Sequence, residues 1–208
     1  MTHPRFIISG TDTGIGKTVF AAALTAALDG CYWKPIQAGL PETDSAIVQR
    51  LSGLPRDRIL TEAYRLRRPA SPHIAAAAER IEIDTLKLRP PTADRVLVVE
   101  GAGGLLVPIN TRALQIDVFA GWFMPVVLCA RTSLGTINHS LLSIEALRRR
   151  AISIHGVAFI GEENAEAERT IVELGGVRRL GRLPWLDPLD AASLHAAFDK
   201  AFRREDFA

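Results

Sequence analysis

The sequence predicts an α/β fold, a doubly wound and mainly parallel sheet with helices on both faces, and three observations carry that expectation. Short, nearly continuous apolar runs recur along the chain, as strands buried on both faces require. Longer segments with helical spacing of apolar residues alternate with them. No Gly/Ser-rich or Pro-rich linker and no internal repeat interrupts the alternation, so residues 1–208 are expected to form one domain.

Taken in order, Arg5 to Ser9 reads as the first strand and Lys17 to Leu28, rich in alanine, as the helix that follows it. Tyr32 to Lys34 is a second strand and Asp44 to Leu51 a second helix. The stretch from Pro55 to Pro91 is less regular. Pro69, Pro72, Pro90 and Pro91 punctuate it around a short alanine-rich helix candidate, and it reads as an insertion on the side where a substrate would enter. Strands are expected again at Arg95 to Glu100, Val126 to Ala130, Ile154 to Ile160 and Leu180 to Leu183. Helices are expected at Gln115 to Trp122, Thr136 to Arg149, Ala165 to Leu174 and Ala191 to Phe202. In the Thr136 helix, Ile137, Leu141, Leu142, Ile144 and Leu147 form one stripe suited to packing on the sheet.

Composition narrows the function. With 208 residues, 48% hydrophobic and 23% charged, the chain is neither disordered, collagen-like nor a coiled coil. Twenty-five basic against 23 acidic residues give a net charge of +2. The basic residues are dispersed apart from Arg148, Arg149 and Arg150 and a looser group at Arg178, Arg179 and Arg182, so no nucleic-acid partner is expected. Two cysteines cannot make a disulfide framework, and Cys129 inside Val126 to Ala130 reads as a reduced, core-filling thiol. The start of the chain lacks the secretory pattern, and the longest apolar stretch, Phe119 to Ala130, is broken by Pro125 and too short for a bilayer. A cytoplasmic protein with no membrane partner is therefore expected.

The strongest local signal is Gly10-Thr-Asp-Thr-Gly-Ile-Gly16-Lys17-Thr18, between the first strand and the first helix. Its spacing is one residue longer than G-x-x-x-x-G-K-[ST], so the match rests on Gly16-Lys17-Thr18 and its context. Glycines let successive backbone N–H groups converge on phosphates, the helix N-terminus adds partial positive charge, Lys17 a full one, and the Thr18 hydroxyl can ligate Mg²⁺. This is nucleoside-triphosphate chemistry on a P-loop NTPase-type fold. Such a site needs a further magnesium carboxylate, and Glu100, which closes the apolar run Val96 to Val99, is the candidate. Gly101 to Gly104 follows it, and its small residues allow close backbone approach to a ligand or a second subunit.

Together with Lys34-Pro-Ile-Gln-Ala-Gly39, Ser71-Pro-His73, Val98 to Gly104, Leu134-Gly-Thr-Ile-Asn-His139 and Leu183-Pro-Trp185, the loop closely resembles the dethiobiotin synthetase family, with all six motifs in the family's order. The resemblance implies ATP-dependent carboxylation of 7,8-diaminononanoate with CO2 or bicarbonate and closure of a ureido ring, giving dethiobiotin, ADP and phosphate. It implies ATP and Mg²⁺ as cofactors and a homodimer. Lys34, Lys17 and Thr13 match the catalytic positions, two fixed cations and a carbamate-contacting threonine. Gly14, Ile15, Gly16, Lys17, Thr18, Val19, Glu100, Gly101, Gly103, Pro184 and Trp185 match the nucleotide-binding positions. Thr18, Asp44 and Glu100 match the metal set. Ser71 to His73 and Leu134 to His139 resemble substrate-side segments, and geometry must decide whether His73 or His139 moves a proton.

Three residues depart from the family pattern. Ala38 stands where a hydroxyl residue is common, Gly14 replaces a glutamate of some members, and Ile160 stands where some have an asparagine that reads adenine. An apolar wall at the base is expected from Ile160. The alternative, a regulatory ATPase of the partitioning and iron-protein type, carries a lysine five residues before the loop lysine, and that position here is Asp12.

Overall fold

The computed structural model describes residues 3–207. Seven parallel strands form the main sheet in the order β4-β2-β6-β1-β7-β8-β9: β1 Arg5–Gly10, β2 Cys31–Trp33, β4 Ile59–Leu60, β6 Leu97–Gly104, β7 Val126–Arg131, β8 Ile154–Ile160 and β9 Arg179–Leu183. The helices are α1 Lys17–Ala27, α2 Asp44–Ser52, α3 Pro72–Ala78, α4 Gln115–Ala120, α5 Thr136–Arg149, α6 Ala165–Gly175 and α7 Ala191–Ala201.

Alternation along each strand decides which helix it meets. Phe6 and Ile8 of β1, Val98 of β6, Val127 and Cys129 of β7 and Ala158 and Ile160 of β8 share one core with Phe20 and Leu24 of α1, Val48 and Leu51 of α2 and Leu194 and Phe198 of α7. The intervening residues face the opposite way. Ile7, Leu97 and Val99 pack with Ile116 and Phe119 of α4 and Leu147 of α5, and Leu128 and Phe159 pack with Ile144 of α5 and Ile171 of α6. Both faces of the sheet are therefore covered, as a parallel sheet requires.

Three short strands were not legible beforehand. β4, two residues long, adds an edge, and β3 (Ile36–Ala38) pairs in parallel with β5 (Tyr64–Leu66) as a separate small sheet. The expected proline-punctuated insertion thus has its own apolar centre, where Ile36 and Leu66 meet Ala75 and Ala76 of the predicted alanine-rich helix, together with Ile83, Leu88 and Ile109.

The third long strand differs from expectation in a way that shapes the site. It runs on through Gly101 to Gly104 rather than ending at Glu100. Ile8 pairs with Glu100 and Gly10 with Gly104, so four steps on β6 match two on β1, and β6 bulges beside the end of β1. Gln115, buried at the start of α4, holds the bulge: its Oε1 accepts from the Ala102 N–H at 2.6 Å and its Nε2 donates to the Gly104 carbonyl at 3.0 Å. A Cβ on Gly101 would stand 2.8 Å from both that Nε2 and the Phe119 ring, so only glycine fits there.

Both cysteines are free and buried, Cys31 in β2 and Cys129 in β7, and burial pushes both thiols above their ordinary range. Under native conditions at pH 8 neither should react with a chromogenic disulfide reagent within minutes, and both should react in guanidinium. Rapid modification of one thiol in the native protein would contradict this packing.

Candidate active site

The site lies at the C-terminal ends of β1 and β6, where the chain after β1 crosses to β2 on one side while β7 follows on the other. Ligands settle at such a reversal in open α/β sheets. The loop after β1 is held by its own residues. Ile15 is fully buried against Gly10, Gly14 and Gly16 have φ of 67° and 93°, and Gly16 caps α1, leaving the first N–H groups of the helix turned to the loop. Val19, one turn on, packs partly into the core. Lys17 donates across the loop to the Asp12 carbonyl at 2.8 Å. The Asp12 carboxylate accepts from the Thr13 N–H at 2.6 Å.

Behind the loop four side chains converge. The Thr18 hydroxyl lies 2.9 Å from Glu100 Oε1 and 3.2 Å from Asp44 Oδ1. Lys34, immediately after β2, places Nζ 2.6 Å from Asp44 Oδ2 and 3.0 Å from Glu100 Oε1, and donates to the Gly101 carbonyl at 3.0 Å. Glu100 is 1% exposed and Lys34 4%. Asp44 opens α2, whose cap is Thr43, and its N–H donates to Gln37 Oε1 at 3.0 Å, which ties α2 to β3. Two carboxylates and a hydroxyl are hard oxygen donors, and so sparse a set suits Mg²⁺, which keeps waters and phosphate oxygens in its shell.

The two lysines sit in different fields. Burial lowers the Lys17 ammonium from the ordinary lysine range; Glu100 opposes that shift and Lys34 adds to it. Burial also works against the Lys34 ammonium, but Glu100 and Asp44 outweigh it and hold Lys34 above that range. Direct contact with Glu100 and Asp44 therefore favours the charged form of Lys34, whereas burial works against that of Lys17.

The other predicted residues occupy the rim. Thr13 is exposed on the far side of the loop, where its Oγ1 lies 3.0 Å from the place of a Cβ on Gly103, whose φ of 72° excludes most side chains. Thr13 opens on a cleft of about 550 Å³ that Leu106, Pro108, His139 and Leu142 also line. His73 places its backbone N–H 3.4 Å from the Pro108 carbonyl, and its Nδ1 is buried without a partner, so neither it nor His139 contacts the carboxylate cluster. Pro184 and Trp185 follow β9, and the exposed indole lies beside Gly161 at the end of β8. Ile160 is not the expected wall at the base. It is 2% exposed, and its Cγ2 stands 2.9 Å from where a Cβ on Gly16 would be, so it supports the phosphate loop from below.

Four site residues escaped the sequence reading. Arg131 at the end of β7 donates to the Thr13 carbonyl at 2.8 Å; the signal was available, since it closes an apolar run as Glu100 does. Gln37, Gln115 and Tyr32 carry no such signal. Tyr32, wholly buried in β2, donates to Glu100 Oε2 at 2.8 Å.

A family model described as an AAA domain matches residues 4–193. A relative named ATP-dependent dethiobiotin synthetase BioD, from Rhodopseudomonas palustris (strain TIE-1), is 64% identical over 204 residues, covering 98% of this chain and 96% of its own. One of the same name from Agrobacterium fabrum (strain C58 / ATCC 33970) is 61% identical over the same shares. The chain belongs to the ATP-dependent dethiobiotin synthetase family. Solved structures at low identity share the fold alone. A ParA family ATPase from Chlorobium tepidum TLS aligns with TM-score 0.57 at 12% identity, covering 96% of this chain and 92% of its own. The septum site-determining protein MinD with Mg-ADP from Pyrococcus horikoshii OT3 gives 0.53 at 14%, covering 95% and 86%. In this dethiobiotin synthetase family member, Asp12 uses its carbonyl to hold Lys17, where the partitioning type would carry a lysine.

Gly16→Ala would force φ near 93° on a side chain and drive a methyl into Ile160. The variant should keep its far-UV circular dichroism and lose nucleotide binding, read by titration with a fluorescent ADP analogue. Wild-type affinity would show that the loop conformation is not required.

Proposed function

We propose that the protein makes dethiobiotin from 7,8-diaminononanoate, CO2 and ATP, with the site residues in the roles that follow. One observation carries the assignment of roles: the buried Lys34 ammonium, clasped by Asp44, Glu100 and the Gly101 carbonyl, sits beside the Thr18 end of a phosphate-binding loop. A phosphate site alone needs Lys17. The second fixed cation suits a reaction whose every species is an anion.

One substrate amine takes up CO2 as a carbamate. A carbamate oxygen attacks the γ-phosphorus and ADP leaves, giving a carbamic-phosphoric anhydride. The second amine then attacks the carbamoyl carbon, phosphate departs, a proton is lost and the ring closes. Backbone N–H groups from Gly14 to Val19 and the Lys17 ammonium cradle the phosphates. Lys34 faces the charge that develops where carbamate and phosphoryl group meet, and Thr13, on the cleft side of the loop, contacts the carbamate. Thr18, Asp44 and Glu100 would hold Mg²⁺, which supplies charge neutralisation to the transferring phosphoryl group. Gly101 and Gly103 keep β6 low beside the phosphates, and Pro184 and Trp185 border the base.

A second copy of the chain completes the substrate cleft in this reading. Leu106 and Leu142 are more than half exposed on the cleft, and Leu134, before α5, is fully exposed. Apolar side chains grouped in this way mark a contact surface. The chemistry suits the cytoplasm, where ATP and bicarbonate are both present, and among the described residues no helix is long and apolar enough to cross a membrane.

ATP turnover should require both diaminononanoate and bicarbonate, with dethiobiotin formed in equal amount; turnover without either would exclude this function. Lys17→Ala should weaken nucleotide binding and abolish turnover. Lys34→Ala should lose about 10² to 10³ in turnover at saturating substrates, the scale for one preorganised charge contact. Near-wild-type turnover in Lys34→Ala would remove Lys34 from the chemistry. Specific activity should fall on dilution only over the range in which sedimentation shows monomers appearing, and a fully active monomer would overturn the shared cleft.

A further inference from the structure

We infer that Tyr32 is a positioning residue for the metal-linked carboxylate: its hydroxyl fixes which oxygen of Glu100 faces Thr18 and Lys34. The inference rests on Glu100 being a metal ligand, as proposed above. Tyr32 is the middle residue of β2, between β4 and β6, and pairs with Val98, two residues before Glu100. Its ring is wholly buried in the same apolar cluster as Val48, Leu51 and Val98. A phenol in such a core needs a polar partner, and phenylalanine would fill the same space without one. The partner is Glu100 Oε2, 2.8 Å away.

Glu100 divides its two oxygens. Oε1 is shared by the Thr18 hydroxyl and the Lys34 ammonium, while Oε2 is held by Tyr32 from the core side. The terminal torsion of a glutamate is broad and nearly two-fold, so the carboxylate plane is not set by its own rotamer. The phenol sets it. With Oε2 tied behind, Oε1 is presented toward Thr18 and Lys34, and the carboxylate plane would not have to be ordered when Mg²⁺ binds. Tyr32 is wholly buried and does not line the cleft, and its hydroxyl donates to Glu100, so its polar influence on the site runs through that carboxylate.

The test compares Tyr32→Phe, Glu100→Gln and a control, Phe198→Leu, which thins the same core on α7 where Phe198 packs against Phe20 and Phe202. Mn²⁺ is titrated into each protein saturated with ADP and bound metal is read by electron paramagnetic resonance. Tyr32→Phe should weaken Mn²⁺ about 10-fold, at the lower end of the range for removing a group that orients a metal ligand. Phe198→Leu should not weaken it. In turnover the Mg²⁺ requirement of Tyr32→Phe should rise while kcat at saturating Mg²⁺ recovers. Unchanged Mn²⁺ affinity in Tyr32→Phe, or an equal loss in Phe198→Leu, would overturn the inference. Glu100→Gln separates the two readings: if it binds Mn²⁺ normally, the metal assignment falls first. A second measurement needs no loss of the hydroxyl. The chain has two tyrosines, so in Tyr64→Phe protein labelled with 3-fluorotyrosine the single ¹⁹F resonance should shift when Mg²⁺ is added with ADP, and a resonance indifferent to metal would also overturn it.

Discussion

Glu100 lies within β6, directly after three wholly buried apolar side chains, and is itself 1% exposed. An ionised carboxylate in that position is costly by several kcal/mol unless charge and hydrogen bonds meet it on every side. Lys34, Thr18 and Tyr32 do so at 2.8 to 3.0 Å. Thr18 comes from α1, and Tyr32 and Lys34 from β2 and the residue after it, so the requirement of this one carboxylate fixes how β2, α1 and β6 meet. Asp44 joins through Lys34 and Thr18 and brings α2 with it. The bulge of β6 belongs to the same arrangement, because it turns the Gly101 carbonyl to the third Lys34 donor.

The features visible in the sequence were those with local signatures. Gly16-Lys17-Thr18 between an apolar run and an alanine-rich helix, and an acid closing Val96 to Val99, each carry their meaning within a few residues. The long strands were legible as nearly continuous apolar runs, and the helices of the described residues as segments of helical period or alanine-rich composition. β3, β4 and β5 are two or three residues each, too short for any period to emerge, and they exist because the insertion closes its own apolar centre around Ile36 and Leu66. Gly101 to Gly104 looked like a loop because glycines weaken a strand. It is a strand because Gln115, far along the chain, supplies the missing constraint.

The misreading of Ile160 has the same origin. Ile160 does end β8, but the direction of its side chain follows from sharing a face with Ala158 and from the missing Cβ of Gly16, which leaves room beneath the loop for a branched chain. Tyr32 was invisible for the converse reason. In a strand of three apolar or aromatic residues nothing distinguishes a ring that merely packs from one whose hydroxyl reaches across β6. Only the pairing of Tyr32 with Val98 shows that the phenol and Glu100 lie at the same level.

A buried carboxylate and lysine, joined by a half-buried second carboxylate, make a poor stabilising device, since apolar residues of similar volume commonly serve a core as well or better. What the cluster supplies is order without reorganisation. Each Lys34 donor has a partner, both Glu100 oxygens are bonded, and the Asp44 backbone is tied to Gln37. Charges fixed in this way need not be oriented as phosphate charge shifts during reaction, and that is where such groups lower a barrier. The energetic burden of burying them is thus borne by the surrounding cores, and the benefit falls on the chemistry at the end of β1.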